Sequence, residues 1–331
     1  MSTSVPSPVV PSSASPWSSP TRVLVEGMPT DVEVYEVGPR DGLQAETDVI
    51  PTPVKVALCA RLYAAGVRSL EITSFVPPSW IPQLADAREV VSAVSLPEGA
   101  RGVALVPNRR GLDDALAAGV RDVAVVVSAT AAFARANLNT DRDGAIRRAV
   151  DVVGVARAEG VPVRGYVSMA FGDPWEGAVD TAAVVDAAFA LRESGCRTVA
   201  LGDTIGVATA GQVERVVEAV AGAGIPRGEL ALHLHDTYGQ ALTNVYAGLR
   251  SGIREFDSSV GGLGRCPYAP GATGNLATED LVIGAHDVSW RVGGHLAVDG
   301  VTLDVLTGST VALLGPNGSG KSSLLRLLAG V

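Results

Sequence analysis

The chain has 331 residues, a net charge of −9, 47% hydrophobic residues and 18% charged residues. This acidic balance argues against a protein that binds nucleic acid or anionic membranes through a basic surface. No apolar run approaches the ~20 residues of a membrane-spanning helix, and the hydrophobic content is sufficient for a large core. We therefore expect a water-soluble protein of one or two domains that acts on small molecules.

Residues 1–30 begin with a Ser/Pro-rich stretch, MSTSVPSPVVPSSASPWSSP. It lacks the basic start and apolar run of a signal peptide and the arginines of a transit peptide, so we predict a disordered tail. The three cysteines, Cys59, Cys196 and Cys266, are widely spaced and odd in number, which does not suit a disulfide framework. A reducing, cytoplasmic location is the simplest interpretation.

A repeated unit follows the tail, in which a helical stretch ends at a glycine and an apolar residue then leads into a β-rich run. The glycines are expected in left-handed C-caps; they are Gly66, Gly119, Gly160, Gly195 and Gly252. Eight β-rich runs occur in order, namely VEVYEV, SLEITSF, GVALVP, DVAVVV, VRGYVSM, TVALG, LALHLH and EFDSSV. Strands that alternate with helices predict a parallel sheet, and eight such units predict an α/β protein with a (β/α)8 TIM barrel.

The first helix of the barrel carries several boundary signals. Thr52 is the expected N-cap, and Pro53 takes the first helical position. Val54, Leu58 and Leu62 fall on one face of the helix, which we expect to pack against the barrel.

Polar residues collect at the predicted strand ends, where the chemistry of a TIM barrel lies. They are Arg40, Asp41, Glu71, Asp203, His233 and His235. The two histidines are two residues apart on a strand, so both rings point to the same side, ~6–7 Å apart along the chain. This spacing suits two ligands of one metal, and Asp41 favours that interpretation over a hydrogen-bonded pair of interior histidines. A mixed N/O site with open positions indicates Mg²⁺ or Mn²⁺ rather than structural zinc.

A glycine-rich segment, GGLGRCPYAPGATGN, follows the eighth strand at residues 261–275. Such composition predicts a mobile loop of the kind that closes over a substrate. A free cysteine is usually a small buried hydrophobe, which is our interpretation of Cys59 and Cys196. Cys266 lies at the centre of the loop, where exposure permits thiol acid/base chemistry, and Asn275 could supply a neutral oxygen ligand.

Four motifs together resemble the 3-hydroxy-3-methylglutaryl-CoA (HMG-CoA) lyase family, over residues 31–284. They are EVGPRDGLQ, EITSFVPPSWIPQLADA, HLHDTYGQAL and GGLGRCPYAPGATGNLATEDLV. The resemblance implies cleavage of HMG-CoA, an intermediate of leucine degradation, into acetoacetate and acetyl-CoA. It implies the metal ligands Asp41, His233, His235 and Asn275. It also implies that Arg40 stabilises an enolate oxygen, that Glu71 organises the site, that His233 takes part in proton removal, and that Cys266 is the catalytic cysteine.

Two features qualify this resemblance. Claisen-type synthases of the same superfamily share the RDG-Q start and the paired histidines, but they typically lack the cysteine loop, which favours the lyase. Arg265 stands where the family commonly has glycine. It could lower the pKa of the neighbouring thiol, contact CoA phosphates or face solvent, and we favour solvent. The implied partner is an acyl-CoA, with a homodimer considered and no nucleic acid or membrane insertion expected.

Residues 285–331 change character and resemble the start of an ABC-transporter ATPase, with an opening pair of strands and a phosphate-binding loop. The pattern G-x-x-x-x-G-K-[ST] is filled by Gly315, Gly320, Lys321 and Ser322. Half of a nucleotide-binding fold cannot bury its own sheet. We therefore favour a lyase with an incidental C-terminal fragment over a fusion that binds ATP and regulates or tethers the barrel.

Overall fold

The computed structural model describes residues 27–29, 31–265, 274–281, 284–292 and 295–304. The predicted N-terminal tail, Cys266 and the phosphate-binding loop at 315–322 lie outside these residues. In the part of the chain that is described, no helix is both long and apolar enough to cross a membrane.

Eight parallel strands close into a barrel in which each strand pairs with its neighbours in chain order, and β8 pairs with β1. The strands are β1 (Glu33–Glu36), β2 (Ser69–Ser74), β3 (Arg101–Leu105), β4 (Val123–Ser128), β5 (Val163–Ser168), β6 (Thr198–Asp203), β7 (Leu230–Leu234) and β8 (Glu255–Ser258). All eight runs predicted from the sequence are strands, and the predicted TIM barrel is confirmed.

Helices surround the barrel and connect its strands. They are α1 (Thr52–Ala64), α2 (Ala87–Ala93), α3 (Arg109–Ala118), α4 (Ala131–Leu138), α5 (Arg142–Ala158), α6 (Thr181–Ser194), α7 (Ala210–Gly222), α8 (Ala241–Arg250) and α9 (Thr278–Leu281). The five glycines predicted to follow helices all have positive φ. Gly119 and Gly195, for example, cap α3 and α6 with φ of 99° and 111°, a region in which a side chain would be strained.

The first helix differs in detail from its prediction. The N-cap is Pro51 rather than Thr52, because the Thr52 hydroxyl donates a hydrogen bond to Asp86 instead of capping its own helix. The buried face also turns away from Val54, which is 54% exposed. Lys55, Cys59, Leu62 and Tyr63 are buried instead, and the ammonium of Lys55 is paired with Asp86 at 2.7 Å. A buried, paired lysine is a feature that an apolar periodicity does not reveal.

The core has two layers, as the alternation of side chains along a strand requires. Outward-facing strand residues pack with the helices in one large apolar cluster that includes Val125, Val167 and Phe256. A smaller cluster fills the barrel interior and includes Tyr35 and Tyr166. Cys59 and Cys196 are buried and free, as predicted.

The chain after the barrel continues as an antiparallel pair of strands, β9 (Gly284–Val292) and β10 (His295–Asp304). The predicted opening pair of strands is therefore present. Between β8 and β9 the described chain forms a short 3-10 turn at Val260–Gly262 and the four-residue helix α9.

Candidate active site

Arg40 and Asp41 lie in a tight π-turn, Gly38–Gly42, directly after β1. The backbone N–H groups of both residues donate to the carbonyl of Val37, at 3.1 and 2.8 Å. This turn places both side chains in the wall of a cavity at the C-terminal end of the barrel. It is the end at which TIM barrels carry their chemistry.

Glu71 holds the Arg40 side chain in place. Its Oε1 accepts a hydrogen bond from Nε of Arg40, while Nη1 of Arg40 donates to Oδ1 of Asp41 at 2.7 Å. The other oxygen of Glu71, Oε2, accepts from the hydroxyls of Tyr35 and Tyr166, at 3.0 and 2.9 Å. Glu71 is fully buried, and both of its oxygens are therefore used to orient neighbouring groups.

The charges around Arg40 determine its protonation. Burial opposes the charge, but Glu71 and then Asp41 raise the pKa of Arg40 above its ordinary value. Burial, followed by Glu71, raises the pKa of Tyr35 well above 10. The guanidinium thus stays charged, and the tyrosine hydroxyl stays a hydrogen-bond donor.

Asp41, His233 and His235 form a compact cluster of potential metal ligands. One ligand atom from each residue lies within 4.8 Å of the others, and the centroids of the two imidazole rings are 5.2 Å apart. Burial raises the pKa of Asp41, but Arg40 and the two histidines outweigh it and lower the pKa to about 2. The carboxylate is therefore ionised at neutral pH, as a metal ligand must be.

The tautomer of His233 is set from the barrel interior. Its Nδ1 lies 3.0 Å from Oδ2 of Asp257, in the register-paired position on β8. The Oδ2 oxygen of Asp257 accepts the hydrogen bond, so Nδ1 carries the proton and Nε2 keeps the free electron pair. Burial lowers the pKa of His233, but Asp257 and Asp41 raise it more, to above its ordinary value. One nitrogen is left for either a metal or a proton.

Asn275 returns to the cluster from the far side of the glycine-rich loop. Its Nδ2 donates to Oδ2 of Asp41 at 2.8 Å and to the carbonyl of Leu263 at 3.0 Å. Its Oδ1 is buried and has no hydrogen-bond partner among the residues that the structure describes. Gly264 permits this approach, because it has φ of 107° and a Cβ there would lie 2.6 Å from Asn275 Nδ2.

Several of these side chains border a cavity of about 150 Å³. Its polar wall includes Arg40, Asp41, His233 and His235, and its apolar wall includes Trp80, Leu105, Val126, Phe133 and Leu138. Arg265, the last described residue before Cys266, is exposed and also lines the cavity. The interpretation that we favoured for Arg265, solvent exposure, and a contact with a bound ligand are both compatible with this position.

The structure thus brings together every described residue to which the family resemblance gave a role, and it adds three that the sequence analysis missed. These are Tyr35, Tyr166 and Asp257, which contact Glu71 or His233 from inside the barrel. A signal was present, because each is a polar residue in a predicted strand at an inward-facing position. Asp203, by contrast, is not in the cluster, since its carboxylate accepts from the backbone N–H groups of Val207 and Ala208.

An eight-stranded barrel with polar chemistry at its C-terminal face defines a TIM-barrel enzyme. Residues 31–298 match the HMGL-like family, and the chain belongs to this family. Residues 298–331 match the ABC transporter family. Both resemblances drawn from the sequence motifs are thereby confirmed.

Two curated relatives illustrate the similarity. The chain is 48% identical over 259 residues to the mitochondrial hydroxymethylglutaryl-CoA lyase of Arabidopsis thaliana, a match that covers 78% of this chain and 55% of that protein. It is 47% identical over 274 residues to the 3-hydroxy-3-isohexenylglutaryl-CoA/hydroxymethylglutaryl-CoA lyase of Pseudomonas aeruginosa, covering 82% of this chain and 91% of that protein. The chain thus spans about half of the plant protein and nearly all of the bacterial one.

Solved structures give the same result. The hydroxymethylglutaryl-CoA lyase of Pseudomonas aeruginosa superposes with a TM-score of 0.74 at 49% identity, over 77% of this chain and 84% of that one. An HMG-CoA lyase of Acinetobacter baumannii, in complex with coenzyme A and 3-methylmalate, has a TM-score of 0.73 at 36% identity, over 76% and 82% of the two chains.

Proposed function

We propose that the protein is a divalent-metal-dependent lyase that cleaves HMG-CoA into acetoacetate and acetyl-CoA. The observation that carries the proposal is the placement of two chemically different groups on one cavity wall. One is the N/O cluster of Asp41, His233 and His235, and the other is the buried cation of Arg40. Carbon–carbon cleavage of this substrate requires a polarised hydroxyl and a site for enolate charge, and the names of the relatives indicate the same substrate.

The residues of the cluster fit a divalent cation. Asp41, His233 and His235 supply an anionic oxygen and two imidazoles. Oδ1 of Asn275, which has no hydrogen-bond partner among the described residues, adds a neutral oxygen. Such a donor set suits Mg²⁺ or Mn²⁺. When bound, the cation supplies Lewis acidity and a template for the substrate oxygens.

Arg40 is placed for the charge that develops on the thioester oxygen. When the bond between C2 and C3 breaks, its electron pair passes to the acetyl-CoA fragment and forms an enolate. Arg40 is held by Glu71 before substrate arrives, so little reorganisation is needed when that charge appears. The hydrogen bonds of Glu71 thereby serve catalysis, although Glu71 itself does not line the cavity.

Proton transfer completes the reaction. The proton lost by the tertiary hydroxyl passes to solvent water. The thiol of Cys266, to which we assign this role, delivers one proton to C2 of the enolate, and the resulting thiolate regains a proton from solvent, so the step balances. Arg265 and Asn275, which border the loop that carries Cys266, both lie at the site. His233 cannot coordinate a metal through Nε2 and accept a proton there in the same step, and we therefore assign it to the metal.

The direct test is product analysis with a Claisen control. Purified protein should release acetoacetate and acetyl-CoA from HMG-CoA in the presence of Mg²⁺, and Cys266→Ala should not. A synthase of the same superfamily would instead condense acetyl-CoA with a 2-oxo acid and release free CoA. If the protein catalysed this condensation and did not cleave HMG-CoA, it would be a synthase rather than a lyase.

The division of the chain follows from the same proposal. We assign residues 31–284 to the catalytic barrel and residues 285–331 to an ATPase-like fragment that takes no part in the reaction, so ATP should not alter turnover. The two buried, free cysteines favour a reducing, cytoplasmic compartment. Sedimentation of the purified protein would show whether it forms a homodimer.

A further inference from the structure

A buried arginine lies beneath the catalytic groups, inside the barrel. Arg164 projects inward from β5 and is 2% exposed. Its guanidinium makes ion pairs with Glu255 and Asp257, both on β8. The three side chains therefore join strands on different sides of the barrel. Arg164 and Asp257 are buried, and an unpaired charge at either would be costly.

The first arm from Arg164 leads to the metal cluster. Oδ1 of Asp257 accepts a hydrogen bond from Nη2 of Arg164, and Oδ2 lies 3.0 Å from Nδ1 of His233. Asp257 is 1% exposed. Each of its oxygens is thus committed to one partner, and the position of the guanidinium determines where Asp257 can hold the imidazole.

The second arm leads to Arg40. The guanidinium of Arg164 lies 4.0 Å from the centroid of the Tyr35 ring and 5.1 Å from that of Tyr166, distances typical of cation–π contacts. The hydroxyls of both tyrosines donate to Oε2 of Glu71, whose Oε1 accepts from Arg40. Packing against Arg164 therefore fixes the rings that fix Glu71.

We propose that Arg164 is a positioning residue that aligns both arms of the site, His233 through Asp257 and Arg40 through the Tyr35–Glu71 hydrogen bond. The proposal rests on the function proposed above for Arg40 and the metal cluster. A guanidinium suits this role because its planar fork can bind two carboxylates while its faces lie against aromatic rings. A lysine ammonium offers a point charge and cannot do both.

Three variants of the full chain separate the arms. Asp257→Asn should weaken Mn²⁺ binding about 10- to 100-fold, the usual cost of losing a partner of a metal-bound histidine. Tyr35→Phe should leave the Mn²⁺ affinity unchanged and lower kcat about two- to tenfold, the equivalent of one hydrogen bond. Arg164→Lys should lower both quantities. Mn²⁺ affinity is measured without substrate by electron paramagnetic resonance, and kcat by acetoacetate release.

Arg101→Lys is the matched control, because Arg101, at the start of β3, pairs with Asp122 and Glu33 at the end of the strands opposite the metal cluster. It should change the melting temperature alone. Arg164→Lys that binds Mn²⁺ and turns over like wild type would overturn the proposal, as would Asp257→Asn with normal Mn²⁺ affinity. If Arg164→Lys does not fold, Asp257→Asn and Tyr35→Phe still test the two arms. If wild type lacks lyase activity, the function fails, whereas the Mn²⁺ measurements still test the His233 arm.

Discussion

The two sides of the site differ in how their polar groups are satisfied. On the Arg40 side, both oxygens of Glu71 are hydrogen-bonded, and the guanidinium is paired with Glu71 and Asp41. On the metal side, the buried Oδ1 of Asn275 has no partner among the described residues. The hydrogen bonds of the Arg40 side are thus complete before substrate binds, whereas the metal side contains a buried oxygen acceptor that an added group can satisfy. Preorganised charge stabilisation and ligand binding leave different patterns of hydrogen bonding.

The largest effect is expected on the metal side. His235→Ala removes a ligand, so the affinity for Mn²⁺ should fall by more than the ~10–100-fold that follows loss of an outer partner, and turnover should fall to background. Isothermal titration with Mn²⁺ measures the first and acetoacetate release the second. His295→Ala, which changes a histidine of β10 outside the barrel, is the control. Normal Mn²⁺ affinity in His235→Ala would contradict the assignment of His235 as a metal ligand.

Cys266→Ala should affect chemistry without affecting the metal. Loss of a general acid lowers kcat by ~10² or more, and the Mn²⁺ affinity should stay within error of wild type. Cys196→Ala, at a buried cysteine in the outer core, is the matched control and should retain kcat. Near-normal turnover of Cys266→Ala would show that the loop cysteine does not deliver the proton.

Arg265→Gly tests whether Arg265 contacts the acyl-CoA from the cavity wall. Because Arg265 is exposed and lines the cavity, we expect KM for the acyl-CoA to rise about two- to fivefold, as for a solvent-exposed ion pair. The rise should shrink at high salt, and Arg265→Lys should restore most of the affinity. A fall in kcat at unchanged KM would point instead to an effect on the neighbouring thiol.

The smallest effect concerns stability at a buried carboxyl outside the cluster. Burial raises the pKa of Glu36 to about 7, although Thr278 and two backbone N–H groups lower it. Between the unfolded value, near 4.5, and about 7, the folded state binds the proton and the unfolded state does not. This contribution to stability is therefore full below about pH 4.5 and is lost as the pH rises through 7. Glu36→Gln should reduce the change of melting temperature with pH over that window. An unchanged pH profile would contradict the raised pKa of Glu36.

The sequence was sufficient for the barrel because its signals are local and repeated. Glycines such as Gly119 and Gly195 cap helices for a steric reason, and each cap leads into an apolar strand. The first helix was less well predicted, since the buried pairing of Lys55 with Asp86 depends on a residue 31 positions away. Apolar periodicity cannot detect such a pair.

The sequence predicted the part of the site that lies at the ends of individual strands. Asp41, His233 and His235 stand at strand ends, and chain order is enough to bring them to one face. The ion pair between Arg164 and Asp257 joins residues 93 positions apart across the barrel interior. Only the closed geometry of the sheet reveals it, together with its contact to His233.

Product analysis in D₂O tests the proposed reaction most directly. If cleavage passes through an enolate that is protonated at carbon, then chelated protein supplied with Mg²⁺ and HMG-CoA should give equal amounts of acetoacetate and acetyl-CoA, and the acetyl methyl group should carry one deuteron. Without Mg²⁺, neither product should form. Free CoA and 3-hydroxy-3-methylglutarate as the products, or cleavage that persists after exhaustive chelation, would contradict a metal-dependent carbon–carbon lyase.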